Sequence, residues 1–179
     1  LKNMPETGGV LMLGNHISWI DWGIIQMASP RPIRFVMIRN LYERWYLKWF
    51  LDIFNVIPVS TGASKGALEK INDSLNNGDV VCIFPEGAIS RTGQLGEFQR
   101  GYEKAAEEAN AVILPFYLRG LWGSWFSRSS EKLKNLRSVG TKHDIIVAFG
   151  EPLPIETKVE ELKRRVFELS IDSWEHYTS

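Results

Sequence analysis

Short apolar runs recur along the chain, and between them the apolar residues repeat at helical spacing. Several of the runs are apolar on both faces, which is typical of strands buried inside a parallel sheet. Six runs are predicted to be strands: Val10–Leu13, Ile33–Ile38, Val56–Val59, Val80–Phe84, Val112–Leu118 and Ile145–Phe149. A sheet built from such runs is hidden from solvent on both sides, so helices are expected to cover it.

The helical segments alternate with the predicted strands. Ser29-Pro30 follows the first segment and Asn77-Gly78 follows the second, as expected at helix ends. Four helices are predicted: Ile20–Ala28, Ala63–Asn76, Glu97–Asn110 and Lys158–Tyr177. The alternation predicts an α/β fold, in which helices flank a central, mostly parallel (mixed) β-sheet.

Length and composition suit one globular domain over residues 1–179, with 44% hydrophobic and 23% charged residues. The chain opens at Leu1 rather than at a methionine, and the first predicted strand follows closely at Val10. We therefore expect a domain that belongs to a longer protein. No run approaches the roughly 20 apolar residues that cross a bilayer.

Charge and cysteine content argue against several classes of function. The 21 basic and 21 acidic residues give a formal net charge of zero, which disfavours nucleic acid as a partner. The single cysteine, Cys82, lies within an apolar run and is expected to be a buried thiol in a reducing compartment. The cysteine and the three histidines show no metal-ligand spacing, so no metal site is expected.

Aromatic residues are concentrated in the segment Arg39–Asn55, RNLYERWYLKWFLDIFN, where basic residues are interleaved with them. A helix of this composition suits the headgroup level of a bilayer, where aromatic rings and cationic side chains both find partners. It also suits a core helix that packs its rings against the sheet. The chain contains seven tryptophans, with Trp19 and Trp22 beside the His16 region and Trp122 and Trp125 later, and this number favours an apolar surface somewhere in the molecule.

A histidine and an aspartate follow the first predicted strand, in the sequence Gly14-Asn15-His16-Ile17-Ser18-Trp19-Ile20-Asp21. A histidine oriented by a carboxylate takes a proton from a hydroxyl near neutral pH. The spacing alone also suits a surface histidine near a helix cap. Its place at the carboxyl end of a strand favours chemistry, because ligands of parallel sheets bind at that edge.

A second motif, Phe84-Pro85-Glu86-Gly87, leaves the fourth predicted strand and belongs to the same expected edge. Taken alone, Pro-Glu-Gly after a strand is also an ordinary turn.

Four blocks in this order resemble the glycerolipid acyltransferase family, whose best-known members acylate lysophosphatidic acid or glycerol 3-phosphate. His16 to Asp21 resembles the family's HxxxxD block, and Phe84-Pro85-Glu86-Gly87 matches its FPEG block. Phe54–Val59 falls where the second block lies, and Val112–Phe116 resembles the fourth. The resemblance implies the family's α/β fold and an O-acyltransferase of phospholipid biosynthesis.

By this resemblance, a fatty acyl group moves from an acyl thioester to a glycerol hydroxyl of a lysophospholipid or glycerol phosphate. The donor is acyl-CoA or an acyl-acyl carrier protein, and no cofactor is bound permanently. His16 is the expected general base and Asp21 fixes its tautomer, whereas Ser18 is expected to be structural. The expected substrate-binding residues are Asn15, Phe84, Pro85, Glu86, Gly87 and Arg91.

Two departures from the family pattern bear on the acceptor. Relatives that bind a free phosphomonoester have arginines where this chain has Ser60 and Ile89. A missing guanidinium weakens a dianionic phosphate site, unless Arg91 replaces it. We therefore expect a phosphodiester acceptor such as lysophosphatidylethanolamine, as in the bacterial 2-acylglycerophosphoethanolamine acyltransferases.

A peripheral place on the cytoplasmic side of a membrane is expected for an enzyme with such a substrate. Two basic groupings could dock an acidic acyl carrier protein, although such groupings are more often solvated faces: Arg31, Arg34 and Arg39, and Lys132, Lys134 and Arg137. Two other classes of function remain open, a non-catalytic lysolipid-binding module and an acyl-thioester hydrolase that uses water as acceptor.

Overall fold

A central β-sheet carries the structure, a computed structural model that describes residues 3–38, 56–59, 65–138 and 144–178. The strands are β1 (Gly9–Gly14), β2 (Ile33–Ile38), β3 (Ile57–Val59), β4 (Val80–Ile83), β5 (Ala111–Arg119), β6 (Ile146–Phe149) and β7 (Leu153–Pro154). Their order is β3-β2-β4-β1-β5-β6, and β7 also pairs with β5. The pairs from β3 through to β5 are parallel, whereas β6 and β7 run antiparallel to β5. The expected mostly parallel, mixed sheet is confirmed.

Helices cover this sheet, within the part of the chain that the structure describes. They are α1 (Asp21–Ala28), α2 (Lys65–Asn76), α3 (Gly101–Ala105), α4 (Glu131–Ser138) and α5 (Val159–Thr178). No helix among the described residues is long and apolar enough to cross a membrane. The aromatic segment Arg39–Asn55 and Ser60 lie outside the described residues, so the predicted membrane helix stays a prediction.

Most predicted elements are present, with ends that differ by one or two residues, but two elements were not predicted and one predicted helix is wrong in its extent. The two-residue strand β7 and the helix α4 had no recognised signal. Of the helix predicted over Glu97–Asn110, only α3 is helical. The residues before α3 are hydrogen-bonded to another part of the chain, since the Gln99 amide donates to the Pro85 carbonyl at 2.8 Å. After α3, Glu108 has a φ of 60°, which ends helical geometry.

The strand β1 lies between β4 and β5, and all six of its residues are buried. Because side chains alternate along a strand, Leu11 and Leu13 face one apolar layer while Val10 and Met12 face the other. Cys82 lies in the second layer and is fully buried, as expected for a structural thiol. Burial raises the pKa of this thiol well above its usual value, which keeps it protonated and unreactive.

The register of β1 against β4 sets the position of the two sequence motifs. These strands are parallel neighbours, and Leu13 pairs with Ile83 near their carboxyl ends. The chain that leaves β1 toward His16 and the chain that leaves β4 toward Glu86 therefore emerge side by side. This neighbourhood, expected from strand order in α/β sheets, is what allows the two motifs to form one site.

We expect Gly14→Ala to destabilise the fold, because a Cβ at this position would lie 2.4 Å from the Phe116 carbonyl oxygen and 2.6 Å from its ring. Such a clash inside a packed core costs about 1–3 kcal/mol. The matched control is Gly23→Ala on α1, where a Cβ meets nothing within 4 Å. Urea unfolding of both variants measures the difference, and equal stability of the two would contradict the close packing at the end of β1.

Candidate active site

His16 and Asp21 meet at the carboxyl end of β1. The His16 Nδ1 lies 2.8 Å from the Asp21 Oδ2. Asp21 is fully buried, and 21% of the His16 side chain is exposed. Because a carboxylate oxygen accepts, Nδ1 carries the hydrogen and Nε2 is left with the lone pair that can take a proton.

Asp21 is held in place by hydrogen bonds from the turn before it. Its Oδ2 also accepts from the backbone amides of Ile17, at 2.7 Å, and Ser18, at 3.0 Å. Its Oδ1 accepts from the Ser18 hydroxyl. Ser18 is itself completely buried, so its hydroxyl is committed to orienting the carboxylate. This geometry supports a structural role for Ser18, as the sequence predicted.

Asn15 connects the end of β1 to β5 through its side-chain amide. Its Nδ2 donates to the Leu118 carbonyl at 2.9 Å, and its Oδ1 accepts from the Leu118 amide at 2.6 Å. The side chain is 2% exposed. Burial and these two bonds commit the amide of Asn15 to the backbone of the neighbouring strand, and substrate binding by Asn15 stays a prediction.

Glu86 joins the two motifs through its carboxylate. Its Oε1 accepts from the His16 backbone amide at 3.0 Å, and its Oε2 accepts from the Gly96 amide at 3.0 Å. Burial raises the pKa of this carboxyl, and the two amide hydrogen bonds partly oppose the rise because they favour the ionised form. Glu86 thus positions the backbone of His16, a role that its prediction as a substrate-binding residue did not include.

The other FPEG residues form a reverse turn beneath the histidine. The Gly87 amide donates to the Phe84 carbonyl at 3.0 Å, and Gly87 has a φ of 70°, a conformation that favours glycine. Pro85 is buried, while Gly87 is exposed. The Phe84 ring stacks on the His16 imidazole, with centroids 4.1 Å apart and planes inclined by 15°. Phe84 therefore limits the orientation of the ring from the side that Asp21 does not touch.

The loop after the turn returns to the histidine. The Ser90 amide donates to the His16 carbonyl at 2.7 Å. Ile89 is 6% exposed and faces the interior. Arg91 follows Ser90 and is exposed. The loop thus places an apolar side chain inward and a cation outward, next to the backbone that carries the base.

A groove of about 710 Å³ lies between this loop and α5, lined by Leu95, Tyr117 and Phe167 among others. Leu95 precedes Gly96, whose amide donates to the Glu86 carboxylate. Neither His16 nor Asp21 lines the groove, so it gives no direct indication of where a reacting group lies.

Three contributors to the site could not be found in the sequence, because each acts through its backbone: Ser90, Gly96 and Leu118. A backbone amide is present at almost every residue, so no residue type marks its role. No group of histidine, cysteine and carboxylate side chains among the described residues is arranged to hold a metal ion. The site thus consists of one oriented imidazole and a scaffold that fixes it.

The raised pKa of Glu86 predicts a pH dependence of stability that Glu86→Gln removes. A carboxyl with a raised pKa stabilises the folded state when protonated, so its contribution is present below the unfolded-state pKa of about 4.3 and is lost as pH rises through the folded-state value. Relative to Glu86→Gln, the wild-type free energy of unfolding should therefore decline across this window and then level off. Urea unfolding at a series of pH values measures it.

Glu151→Gln is the control for this experiment, because Glu151 is also a glutamate but lies exposed on the surface. The free energy of unfolding of the wild type minus that of Glu86→Gln should fall with pH. If this difference rises with pH or stays constant, the assigned burial of the Glu86 carboxylate is contradicted.

The chain is similar in sequence to known acyltransferases. The chain is 28% identical over 160 residues to a probable 1-acyl-sn-glycerol-3-phosphate acyltransferase of Mycoplasma pneumoniae, covering 85% of this chain and 59% of that protein. It is 29% identical over 119 residues to a 1-acyl-sn-glycerol-3-phosphate acyltransferase of Pseudomonas aeruginosa, covering 64% of this chain and 46% of that protein. The chain thus spans about half the length of the curated relatives that it matches.

The fold has a counterpart among solved structures. The crystal structure of the 1-acyl-sn-glycerophosphate acyltransferase PlsC from Thermotoga maritima superposes with a TM-score of 0.71 at 21% identity, covering 99% of this chain and 70% of that one. A family model described as Acyltransferase matches residues 1–119, which include both motifs and the strands that carry them. The chain therefore belongs to the acyltransferase family.

Proposed function

We propose that this chain transfers a fatty acyl group from an acyl thioester to a glycerol hydroxyl of a lysophospholipid. The observation that carries the proposal is an imidazole bonded to a buried carboxylate, His16 to Asp21, beside a serine that is not available as a nucleophile. A base without its own nucleophile suits a reaction in which the acceptor alcohol attacks. The names of the relatives support a lysophospholipid acceptor.

In the proposed reaction His16 takes one proton from the acceptor hydroxyl and later gives it to the leaving thiolate. The acceptor hydroxyl gives its proton to His16 Nε2 as its oxygen attacks the thioester carbonyl carbon. When the tetrahedral intermediate collapses, the carbon–sulfur bond breaks and the imidazolium returns the proton to the leaving thiolate. The products are an ester and a free thiol, and no acyl-enzyme forms.

Asp21 serves this reaction in two ways. It holds the hydrogen on Nδ1, so that Nε2 is the basic nitrogen, and it stabilises the imidazolium that forms during attack. Its bonds to Ile17 and Ser18 fix the carboxylate before substrate binds. Glu86 and Ser90 fix the histidine backbone on both sides, which makes them positioning residues in this proposal.

For the acceptor headgroup, we propose a phosphodiester such as that of lysophosphatidylethanolamine. The support is Ile89, which is buried and apolar where relatives with a phosphomonoester acceptor carry a guanidinium. Arg91, exposed on the same loop, is the proposed contact for the single charge of a diester. The donor is acyl-CoA or an acyl-acyl carrier protein, and the site of action is the cytoplasmic surface of a membrane.

His16→Ala is expected to lower kcat for acyl transfer by about 100- to 10,000-fold, because that is the usual contribution of a general base. The measurement is mass spectrometry of the acylated lipid, with the unfolding transition recorded to show that the fold persists. His176→Ala is the control, since it removes a histidine that belongs to neither motif.

Unchanged activity of His16→Ala would falsify the base assignment. Free fatty acid as the main wild-type product would instead identify a thioester hydrolase. Lysolipid binding with no product from either donor would identify a binding module.

The acceptor panel is the second test of function. With wild-type protein and both thioester donors, we expect kcat/KM for lysophosphatidylethanolamine to exceed that for lysophosphatidate by at least tenfold, about 1.4 kcal/mol of transition-state discrimination. Arg91→Gln should lower kcat/KM for both acceptors. A preference for lysophosphatidate, the acceptor in the relatives' names, rejects the diester proposal and leaves the acyl transfer proposal standing.

A further inference from the structure

Three large aromatic side chains are exposed beside the HxxxxD block. Trp19 is 52% exposed, Trp125 is 66% exposed and Phe126 is 51% exposed. The Trp19 amide donates to the Phe126 carbonyl at 2.9 Å, which places the two segments side by side. We call Trp19, Trp125 and Phe126 the aromatic face. Exposed apolar groups gathered in this way mark interaction surfaces more often than scattered ones do.

A short antiparallel bridge explains why Trp19 and Phe126 point outward. Ser18 pairs with Ser127 in an isolated bridge, and both serines are buried, at 0% and 1% exposure. Side chains alternate along paired backbones, so the next opposed pair, Trp19 and Phe126, projects to the other side. The exposure of this pair is therefore built into the register of the bridge.

The loop that carries Trp125 and Phe126 is fixed from inside. The Ser127 hydroxyl donates to the Ser124 carbonyl at 2.8 Å and accepts from the Gly123 amide at 3.1 Å. The Ser129 hydroxyl lies 2.8 Å from the same oxygen. On the opposite segment, the Trp22 indole donates to the Trp19 carbonyl at 2.8 Å. Buried serines thus anchor a loop whose largest side chains remain in solvent.

The segment that carries Trp125 and Phe126 holds a single positive charge. Arg128 is exposed and follows the same alternation, two residues after Phe126 and between the buried Ser127 and Ser129. It is the only charged residue in the segment 121–130. Asp21, the acidic residue nearest to Trp19 in sequence, is buried and bonded inward. A cation beside tryptophan and phenylalanine complements the anionic headgroups of a lipid surface.

We propose that the aromatic face and Arg128 dock this chain onto an anionic bilayer, with the rings at the depth of the headgroups and Arg128 against lipid phosphate. Indole rings favour this depth because one part of the ring is apolar and its N–H is polar. A lipid surface fits better than a protein partner, because the face offers three rings and the adjacent cation Arg128, the two kinds of group that favour the headgroup layer.

Docking by this face brings the candidate base close to the bilayer. Trp19 is three residues after His16, so at most about 11 Å separates the Cα atoms of these two residues. The glycerol of a membrane lipid lies at the same depth as the docked Trp19 ring. The face is thus placed to present His16 to an acceptor that need not leave the membrane, an extension that rests on the proposed function. Binding to the bilayer does not depend on it.

The test compares two double variants in vesicle co-sedimentation, with vesicles of phosphatidylglycerol and phosphatidylcholine. Trp125→Ser with Phe126→Ser removes two rings of the aromatic face. Phe167→Ser with Ile171→Ser is the matched control, because these α5 residues are 55% and 50% exposed and also apolar. We expect the first pair to lower the partition coefficient at least tenfold, while the control stays within about twofold of the wild type.

Arg128→Gln tests the electrostatic part separately. It should lower partitioning into anionic vesicles about fivefold and leave pure phosphatidylcholine unaffected, since a cation near an anionic surface contributes about 1 kcal/mol. The aromatic pair should also slow acylation of a vesicle-embedded acceptor while sparing a short-chain acceptor dissolved in water. The acylation measurement gives no signal if the proposed acyl transfer is wrong. The co-sedimentation measurement does not depend on acyl transfer and tests the docking surface by itself.

Three outcomes overturn the proposal. Wild-type protein that does not bind the vesicles excludes the docking surface. Loss of binding in the α5 control, with the aromatic pair unaffected, moves the surface to α5. Dissociation of an oligomer by the aromatic pair, with vesicle binding unchanged, identifies the face as a contact between copies of the chain.

Discussion

The Asp21 carboxylate is the group on which the site depends. It is fully buried at the start of α1, and it accepts hydrogen bonds from the His16 ring, the Ser18 hydroxyl and two backbone amides. Leaving such a charge without these partners would cost several kcal/mol, so the turn between β1 and α1 is held to one conformation. The hydrogen bonds that offset the cost of burying the carboxylate also fix the orientation of the imidazole.

The second constraint is the order of strands. Parallel pairing of β1 with β4 brings the two motifs together, and the Glu86 carboxylate then joins them. Asn15 performs the equivalent task toward β5. The backbone at His16 is therefore held by Glu86, which follows β4, and by the bond from the adjacent Asn15 to β5. The imidazole is also stacked on Phe84, an arrangement suited to a base that stays in place through a reaction. On the following loop the buried Ile89 places an apolar side chain toward the interior.

Much of this arrangement is readable from the sequence, for reasons that also explain what is not. The strands could be predicted from runs that are apolar on both faces, because such runs depend on local periodicity. The proximity of His16 and Glu86 could be predicted because both follow the ends of predicted parallel strands. The extent of α3, the tie from Asn15 to Leu118 and the two amide bonds of Glu86 depend on tertiary contacts between residues far apart in the chain. Asn15 adjoins His16 in the sequence, and adjacency along the chain could not show that its amide is bonded to Leu118 of a neighbouring strand.

The burial of Cys82 gives the protein an internal reporter of sheet opening. It is the only cysteine in the chain, and it lies on β4 between Phe35 of β2 and Met12 of β1, two residues before the ring that supports His16. A thiol reagent can reach it only when those strands separate. The rate of labelling in native buffer therefore follows the opening of the strand that carries the second motif, independently of any substrate.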